Sequence, residues 1–370
     1  VIITWDRAFA WRMRRHLLDR PARGTSAVDV AHRLCGVQAQ VASSAEQAIA
    51  ARQATAPAGQ VAQALRDRKL VKTWAMRGTL HLLTPADTPA LLALMAATKT
   101  WEKPVWQRNF VTAAQLAAIT EAAWTALDGA ALTREQLSQA VLERSSDPSL
   151  AEHLASGWGA VLKPLAYQGL LVYGPSDGSR VTFTRPDTYL DGWPGLPDTA
   201  EAARVAIPAY LGAYGPAAPE AFNQWIARGV LRKTDLKKWY ADLTADGVIA
   251  AVEVDGTPAY AVADQVDAIA SAKPFDEVRL LPAFDQYVLG PGTQDERLIG
   301  PGRRAEVSKA AGWISPVVIH RGRVAGVWDT DGDTVSVRLF QERSAVPRKQ
   351  IEAEAARIAG GTPKVEIAVG

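Results

Sequence analysis

The chain has 370 residues, 48% hydrophobic and 22% charged, enough apolar material for more than one packed core, which excludes wholesale disorder. Forty-one basic against 39 acidic residues leave a net charge of +2, so any basic surface must come from local clustering. A single cysteine, Cys35, excludes a disulfide framework and a cysteine-based zinc site. No stretch approaches the roughly 18 uninterrupted apolar residues of a membrane span. The arginine-studded start carries no apolar signal segment, so a soluble, cytoplasmic protein is expected.

In chain order, the arginines Arg12, Arg14 and Arg15 fall on a helix with Trp11 and Leu18 facing inward, and read as a solvated face. Ser26-Ala27-Val28-Asp29 reads as a capping box, and a second box at Ser43-Ser44-Ala45-Glu46 opens a helix to about Arg52. A third helix covers about Gln60 to Leu70. The strands Val71–Met76 and Thr79–Leu83 follow, joined at Arg77-Gly78. The same layout recurs: helices at about Thr112–Leu127, from a Thr133 cap, and at Trp158–Tyr167, then a hairpin of Leu170–Tyr173 with Arg180–Phe183. It recurs again after the Pro/Gly-rich linker 191–197. Helices at about Thr199–Leu211, Pro219–Ile226 and Lys233–Leu243 precede the hairpin 248–262, which turns at Asp255-Gly256.

Three helices followed by a two-stranded hairpin is the winged-helix plan, which sets a helix and its wing against nucleic acid. The expected fold is α+β: three tandem winged-helix (helix-turn-helix) modules over 1–103, 104–190 and 191–272, then a strand-rich unit over 273–370. In that last unit the strands fall at Val278–Leu281, Phe284–Leu289, Val317–Ile319, Val324–Trp328 and Val335–Phe340, before a terminal helix over Pro347–Ala359. Between Gly290 and Lys309 lies a glycine-rich, charged excursion, which reads either as a groove-probing hairpin or as a solvated loop.

Familiar site signatures are absent. The five histidines lie scattered without metal-ligand spacing, and there is no phosphate loop, Rossmann fingerprint or nucleophile elbow, so neither metal nor cofactor is expected. His81 on its strand reads as a satisfied, half-buried histidine. The segment Gly36-Val37-Gln38-Ala39-Gln40-Val41 stands out. Glutamines two apart cannot share a helix face but do share a face of extended chain. There two carboxamides can converge on a small polar target, although surface glutamine pairs are also common.

Leu34-Cys35-Gly36-Val37-Gln38-Ala39-Gln40 together with Lys72–His81 resembles the bacterial winged-helix DNA glycosylase family. Tyr214-Gly215-Pro216-Ala217 with Trp225, Leu280–Asp285 and Gly322–Trp328 extend the likeness over nearly the whole chain. The chain is most similar to the branch that confers azinomycin B resistance on antibiotic-producing actinomycetes. The resemblance implies a DNA glycosylase that excises N7-alkylated purines and unhooks interstrand crosslinks. It makes Gln38 and Gln40 the catalytic Gln-x-Gln motif and places the modules around a concave DNA-binding channel. In the enterobacterial branch the second position is Asp, so Gln40 departs from a charged general base. No lysine is implicated as a Schiff-base nucleophile, so a monofunctional, monomeric enzyme acting on double-stranded DNA in the nucleoid is expected.

Candidate phosphate contacts are Lys69, Lys72 and Arg77 near the first hairpin and Arg297, Arg303 and Arg304 in the glycine-rich excursion. Two alternatives stay open: a non-catalytic winged-helix transcriptional regulator, and a resistance protein that sequesters the drug itself.

Overall fold

The computed structural model describes residues 2–145, 147–155 and 159–370. The fold is mixed α/β and gathers into two compact units. One comprises Val1–Ala58, Pro208–Trp225 and Tyr240–Gly370; the other comprises Gly59–Ile207 and Ile226–Trp239. Among the described residues no helix is long and apolar enough to cross a membrane.

The first unit is organised by a five-stranded sheet in the order 364–369, 334–339, 323–331, 317–320, 278–281. Its pairs are antiparallel except the outermost, where Thr334–Leu339 and Lys364–Val369 run parallel. Alternation assigns the faces. Val278, Leu280, Val318 and Val337 pack with Ile351 and Ala355 of the helix Arg348–Ala359. Leu281, Val317 and Ile319 point the other way, into a core with Phe9 and Met13 of the helix Trp5–Arg15. Gly326 is required where the strands approach closely, because a Cβ there would stand 2.3 Å from the Arg338 carbonyl oxygen. The hairpin Ile249–Val254/Thr257–Val262 turns at Asp255 and Gly256 with φ of 45° and 75°, the left-handed pair that such a two-residue turn needs.

The second unit contains the antiparallel pair Val71–Trp74/Leu80–Leu83 and a three-stranded sheet in the order 132–133, 182–184, 172–173. Trp74 stacks on Phe183 at 5.9 Å and meets Tyr173 edge-on. Thr112 and Thr133 each receive the backbone N–H three residues on, while Gln115 and Gln136 return the bond, so both helix starts are reciprocally capped.

Several expectations need correction. The Ser43 box does not form: the helix starts at Ala42 behind Val41, which makes no side-chain cap. Phe284–Leu289 is not a strand. Asp285 accepts the Tyr287 N–H and nucleates the short helix Gln286–Leu289, a run too short for its apolar residues to show a helical or a strand period. The excursion is neither hairpin nor open loop. It holds the helices Glu296–Ile299 and Arg304–Val307, whose Leu298, Ile299 and Val307 are buried in the core. The helix Arg348–Ala359 is not terminal, since the strand Lys364–Val369 follows it. In the second copy the third helix spans Lys163–Tyr167, and the expected start at Trp158 lies outside the described residues.

Candidate active site

The helix Ala27–Arg33 opens on the Ser26/Asp29 box. It closes by a Schellman-type turn: Cys35 takes a left-handed φ of 51° and the Gly36 N–H reaches the Ala31 carbonyl at 2.7 Å. Gly36, at φ 97°, then turns the chain into the short strand Val37–Gln38. The next helix begins only at Ala42, so Gln38 and Gln40 occupy the non-helical stretch between two helices, as their spacing predicts. They differ in exposure. Gln38 is 6% exposed, whereas Gln40 is exposed to solvent. Neither carboxamide has a hydrogen-bond partner among the described residues.

Both ends of this stretch are anchored in one buried network. At the upstream end the Tyr214 hydroxyl donates to the Leu34 carbonyl at 2.5 Å, and Arg12 Nη2 donates to the Tyr214 carbonyl at 2.7 Å. At the downstream end Arg52, just past the helix Ala42–Ala50, forks onto both oxygens of Asp285 at 2.8 Å. The two ends meet at His16. Its Nε2 lies 3.0 Å from the Ala213 carbonyl, which only accepts, so Nε2 carries the hydrogen and Nδ1 receives Arg52 Nη2 at 3.3 Å. Burial, then the Arg52 and Arg12 charges, hold His16 well below its ordinary pKa. It is therefore neutral in one tautomer.

Arg12 overturns the reading of the N-terminal arginines as a solvated face. It is 1% exposed, Arg15 donates to the Gly212 carbonyl, and only Arg14 of the three is exposed. A run of arginines does not show which one turns inward. His16, Arg52, Tyr214 and Asp285 were likewise missed as supports. Tyr214 and Asp285 stand in the Tyr-Gly-Pro-Ala and Leu-Pro-Ala-Phe-Asp stretches, which was the available signal.

The phosphate candidates divide by what they already hold. Lys69 is exposed. Lys72 is half-buried with its ammonium 5.4 Å from the Tyr173 ring, and burial lowers its pKa. Arg77 lies half-buried at the hairpin turn with φ 58°. Arg297 pairs with Asp295 at 2.8 Å and covers the Trp5 ring. Arg303 is held between Glu306 and Glu342 over Phe340. Arg304 is exposed at the first position of its helix. His81 is fully buried rather than half-buried and only half satisfied. Its Nδ1 lies 3.0 Å from the Thr79 carbonyl, Nε2 has no partner, and burial with the Arg77 charge pushes its pKa down to about 3. Among the described residues no group of three His, Cys, Asp or Glu side chains could hold a metal.

A helix-flanked pair of neutral amides on a buried polar support can orient a small polar molecule by hydrogen bonds but supplies no strong acid. The profile of the family described as "DNA glycosylase AlkZ-like" matches residues 31–360, and the chain belongs to that family. It is a DNA glycosylase, an enzyme that hydrolyses N-glycosidic bonds. It is 45% identical over 358 residues to the "Interstrand DNA cross-link repair glycosylase" of Streptomyces sahachiroi, covering 96% of each chain. The solved structure of the Streptomyces sahachiroi DNA glycosylase AlkZ superposes with a TM-score of 0.93, at 42% identity and full coverage of both chains.

Proposed function

We propose that the enzyme releases N7-alkylated purines and unhooks interstrand crosslinks of that chemistry, azinomycin B adducts among them, with Gln38 and Gln40 holding the hydrolytic water. The carrying observation is the Gln38 carboxamide, nearly buried, ahead of a helix start, with no internal hydrogen bond to occupy it. The name of the Streptomyces sahachiroi relative supports the crosslink substrate.

The chemistry suits amides. Alkylation at N7 makes the purine cationic, so the C1′–N9 bond breaks with its electron pair passing to N9 and no strong general acid is needed, unlike the carboxylate pair of glycosidases. Water adds to the oxocarbenium-like C1′ and sheds a proton to solvent, leaving an abasic site and a neutral N7-alkylpurine. A glutamine carbonyl accepts the water's hydrogen bond and aims its oxygen, and orientation alone is worth a large factor when the leaving group is good. Gln40, at the solvent side, lies where the lesion arrives; Gln38 is the fixed partner. The absence of a Schiff-base step makes the enzyme monofunctional, without strand cleavage.

The repeated helix, helix, helix, hairpin order supports three winged-helix modules, over 1–103, 104–190 and 191–272, followed by the strand-rich 273–370. Such modules would present a concave channel to double-stranded DNA, with the enzyme acting as a monomer on the nucleoid. A crosslinked base cannot be fully extruded, so the lesion is attacked largely within the duplex. Of the six candidate cations, Lys69 and Arg304 are the best placed for phosphate, being exposed and, unlike the exposed Arg297, not paired with a carboxylate among the described residues. Incubation with DNA carrying N7-methylguanine or a nitrogen-mustard crosslink should yield free modified purine and abasic sites. Tight binding without base release would return the chain to the regulator reading.

A further inference from the structure

The turn His320-Arg321-Gly322-Arg323 joins two central strands of the five-stranded sheet. Arg321 has φ 51° and Gly322 φ 75°, the left-handed pair of a tight hairpin whose first position favours Asn or Gly. An arginine there is strained by its backbone, so its side chain is the reason to look further. Two hollows flank the turn. One, of about 360 Å³, is lined by Asp6, Phe275 and Asp276 beside Arg321 and Arg323. The other, of about 240 Å³, is lined by His320, Arg321, Arg323 and Arg343 with Ala325 and Ala345, and no carboxylate.

The neighbouring acids do not quench this second hollow. Asp276 engages His320 Nε2 at 2.9 Å and Arg321 Nε at 2.6 Å, leaving both Nη groups of Arg321 without a partner among the described residues. Asp6 takes Arg323 Nη1 at 2.7 Å. Arg343 has no carboxylate within ion-pair distance among the described residues; its Nη1 donates to the Leu298 and Val324 carbonyls. Burial lowers the Arg343 pKa, and the nearby Arg323 charge lowers it further, so two guanidinium groups repel across a space large enough for a tetrahedral oxyanion with water.

We infer that the hollow formed by His320, Arg321, Arg323 and Arg343 is a phosphate-binding site that seats a backbone phosphate diester of DNA. The DNA source rests on the glycosylase reading; the oxyanion chemistry rests on the hollow alone. Arg321 presents its free Nη groups, Arg323 is braced on the Phe9 ring, and Arg343 adds a third guanidinium to the lining.

The test uses the full chain and a fluorescein-labelled undamaged duplex, titrated by anisotropy from low to moderate KCl. Asn tolerates the left-handed turn better than Arg, so Arg321→Asn should melt no lower than wild type. It should nevertheless bind duplex on the order of tenfold more weakly, with a log K against log[KCl] slope shallower by about 0.9. Asp276→Asn frees Arg321 and His320 and should tighten binding severalfold. A purely structural cluster would lower the melting temperature of both variants and move neither affinity nor slope. That result overturns the inference. In a second arm, millimolar orthophosphate is compared with matched KCl. If it raises the wild-type but not the Arg321→Asn melting temperature while duplex affinity is equal in the two, the anion is a free one and the DNA source is overturned. Release of N7-methylguanine by the same variants at saturating enzyme is scored separately, so failure here is distinguishable from failure of the glycosylase reading.

Discussion

Arg52 and Asp285, 233 residues apart in sequence, form a two-pronged ion pair at 2.8 Å with both side chains at 0% exposure. It ties the helix that follows the Gln-x-Gln segment to the turn that closes the first strand of the five-stranded sheet. Asp285 also caps the helix Gln286–Leu289, so one carboxylate fixes both Arg52, beyond the Gln38–Gln40 stretch, and a local helix start.

Removing one partner leaves a buried charge unanswered. Asp285→Ala should cost about 3–5 kcal/mol, and replacing both partners by apolar residues should cost less than that single change. Denaturant melts of the single and double variants check this. A double variant whose loss equals the sum of the two single losses would mean that the pair is not coupled.

Gln38→Ala and Gln40→Ala should each slow N7-methylguanine release on the order of a hundredfold, since a water left to wander loses its attack geometry. Gln40→Asp should retain activity and acquire an acid limb near the ordinary carboxylate range, because the carboxylate accepts the water's proton only when ionised. Single-turnover rates between pH 4 and 8 decide it. Wild type, with two amides, should show no such limb.

Acid should weaken the fold early. His16 and His81 are buried and neutral, with pKa values held below the ordinary 6.5, for His81 at about 3. As pH falls through 6.5 the unfolded chain takes up protons that the folded chain refuses. Stability that is full above 6.5 is therefore lost downward, by about 1.4 kcal/mol per pH unit for each histidine until its folded pKa is reached. The melting temperature should be flat between pH 7 and 8 and fall from pH 6.5 to 5. In His81→Asn that fall should be shallower, whatever the variant's stability at neutral pH.

Much of this was legible from residue patterns, and what escaped has a common cause. The Ser26 and Thr133 caps, the Asp255-Gly256 turn and the strands around His320 are local, and each announces itself within a few residues. The non-helical setting of Gln38 and Gln40 was legible from its flanking helices, even though the Ser43 box that suggested the second helix does not form. The supports of the site were not legible. Arg12, His16, Arg52, Tyr214 and Asp285 come from distant stretches, and nothing near Arg12 separates it from exposed Arg14. Nor does composition reveal that the Gly290–Arg304 stretch is pinned by Leu298 and Ile299, because four-residue helices carry too little periodicity to register.

Gly290 has an ordinary backbone conformation but no room for a side chain: a Cβ would fall 2.1 Å from the Tyr214 ring. Gly290→Ala should therefore push Tyr214 away from the Leu34 carbonyl it holds. A loss of about 1–3 kcal/mol is expected from overpacking, with a further drop in base release as the Gln38 stretch loosens. Gly292→Ala, where a Cβ meets nothing within 4 Å, controls for the backbone, although its φ of 92° adds its own strain. If Gly290→Ala destabilises but leaves single-turnover rates intact, Tyr214 supports only the fold.

Arg303 and Arg304 are neighbours with opposite expected roles. Arg303 is fixed by Glu342 and Glu306, which raise its pKa, and Arg303 in turn holds Glu342 at about 2. Arg304 stands in solvent at the start of its own short helix. Arg303→Ala should lower the melting temperature, by a modest amount because the network is partly exposed, and leave the salt dependence of duplex binding unchanged. Arg304→Ala should do the reverse: an unchanged melt, weaker binding to every sequence, and a slope reduced by about 1. Deleting the whole excursion would not separate these roles, since Leu298, Ile299 and Val307 belong to the core and their loss would unfold the unit. Anisotropy and thermal melts on the two point variants do separate them, and the assignment of Arg304 to DNA fails if its salt slope matches wild type.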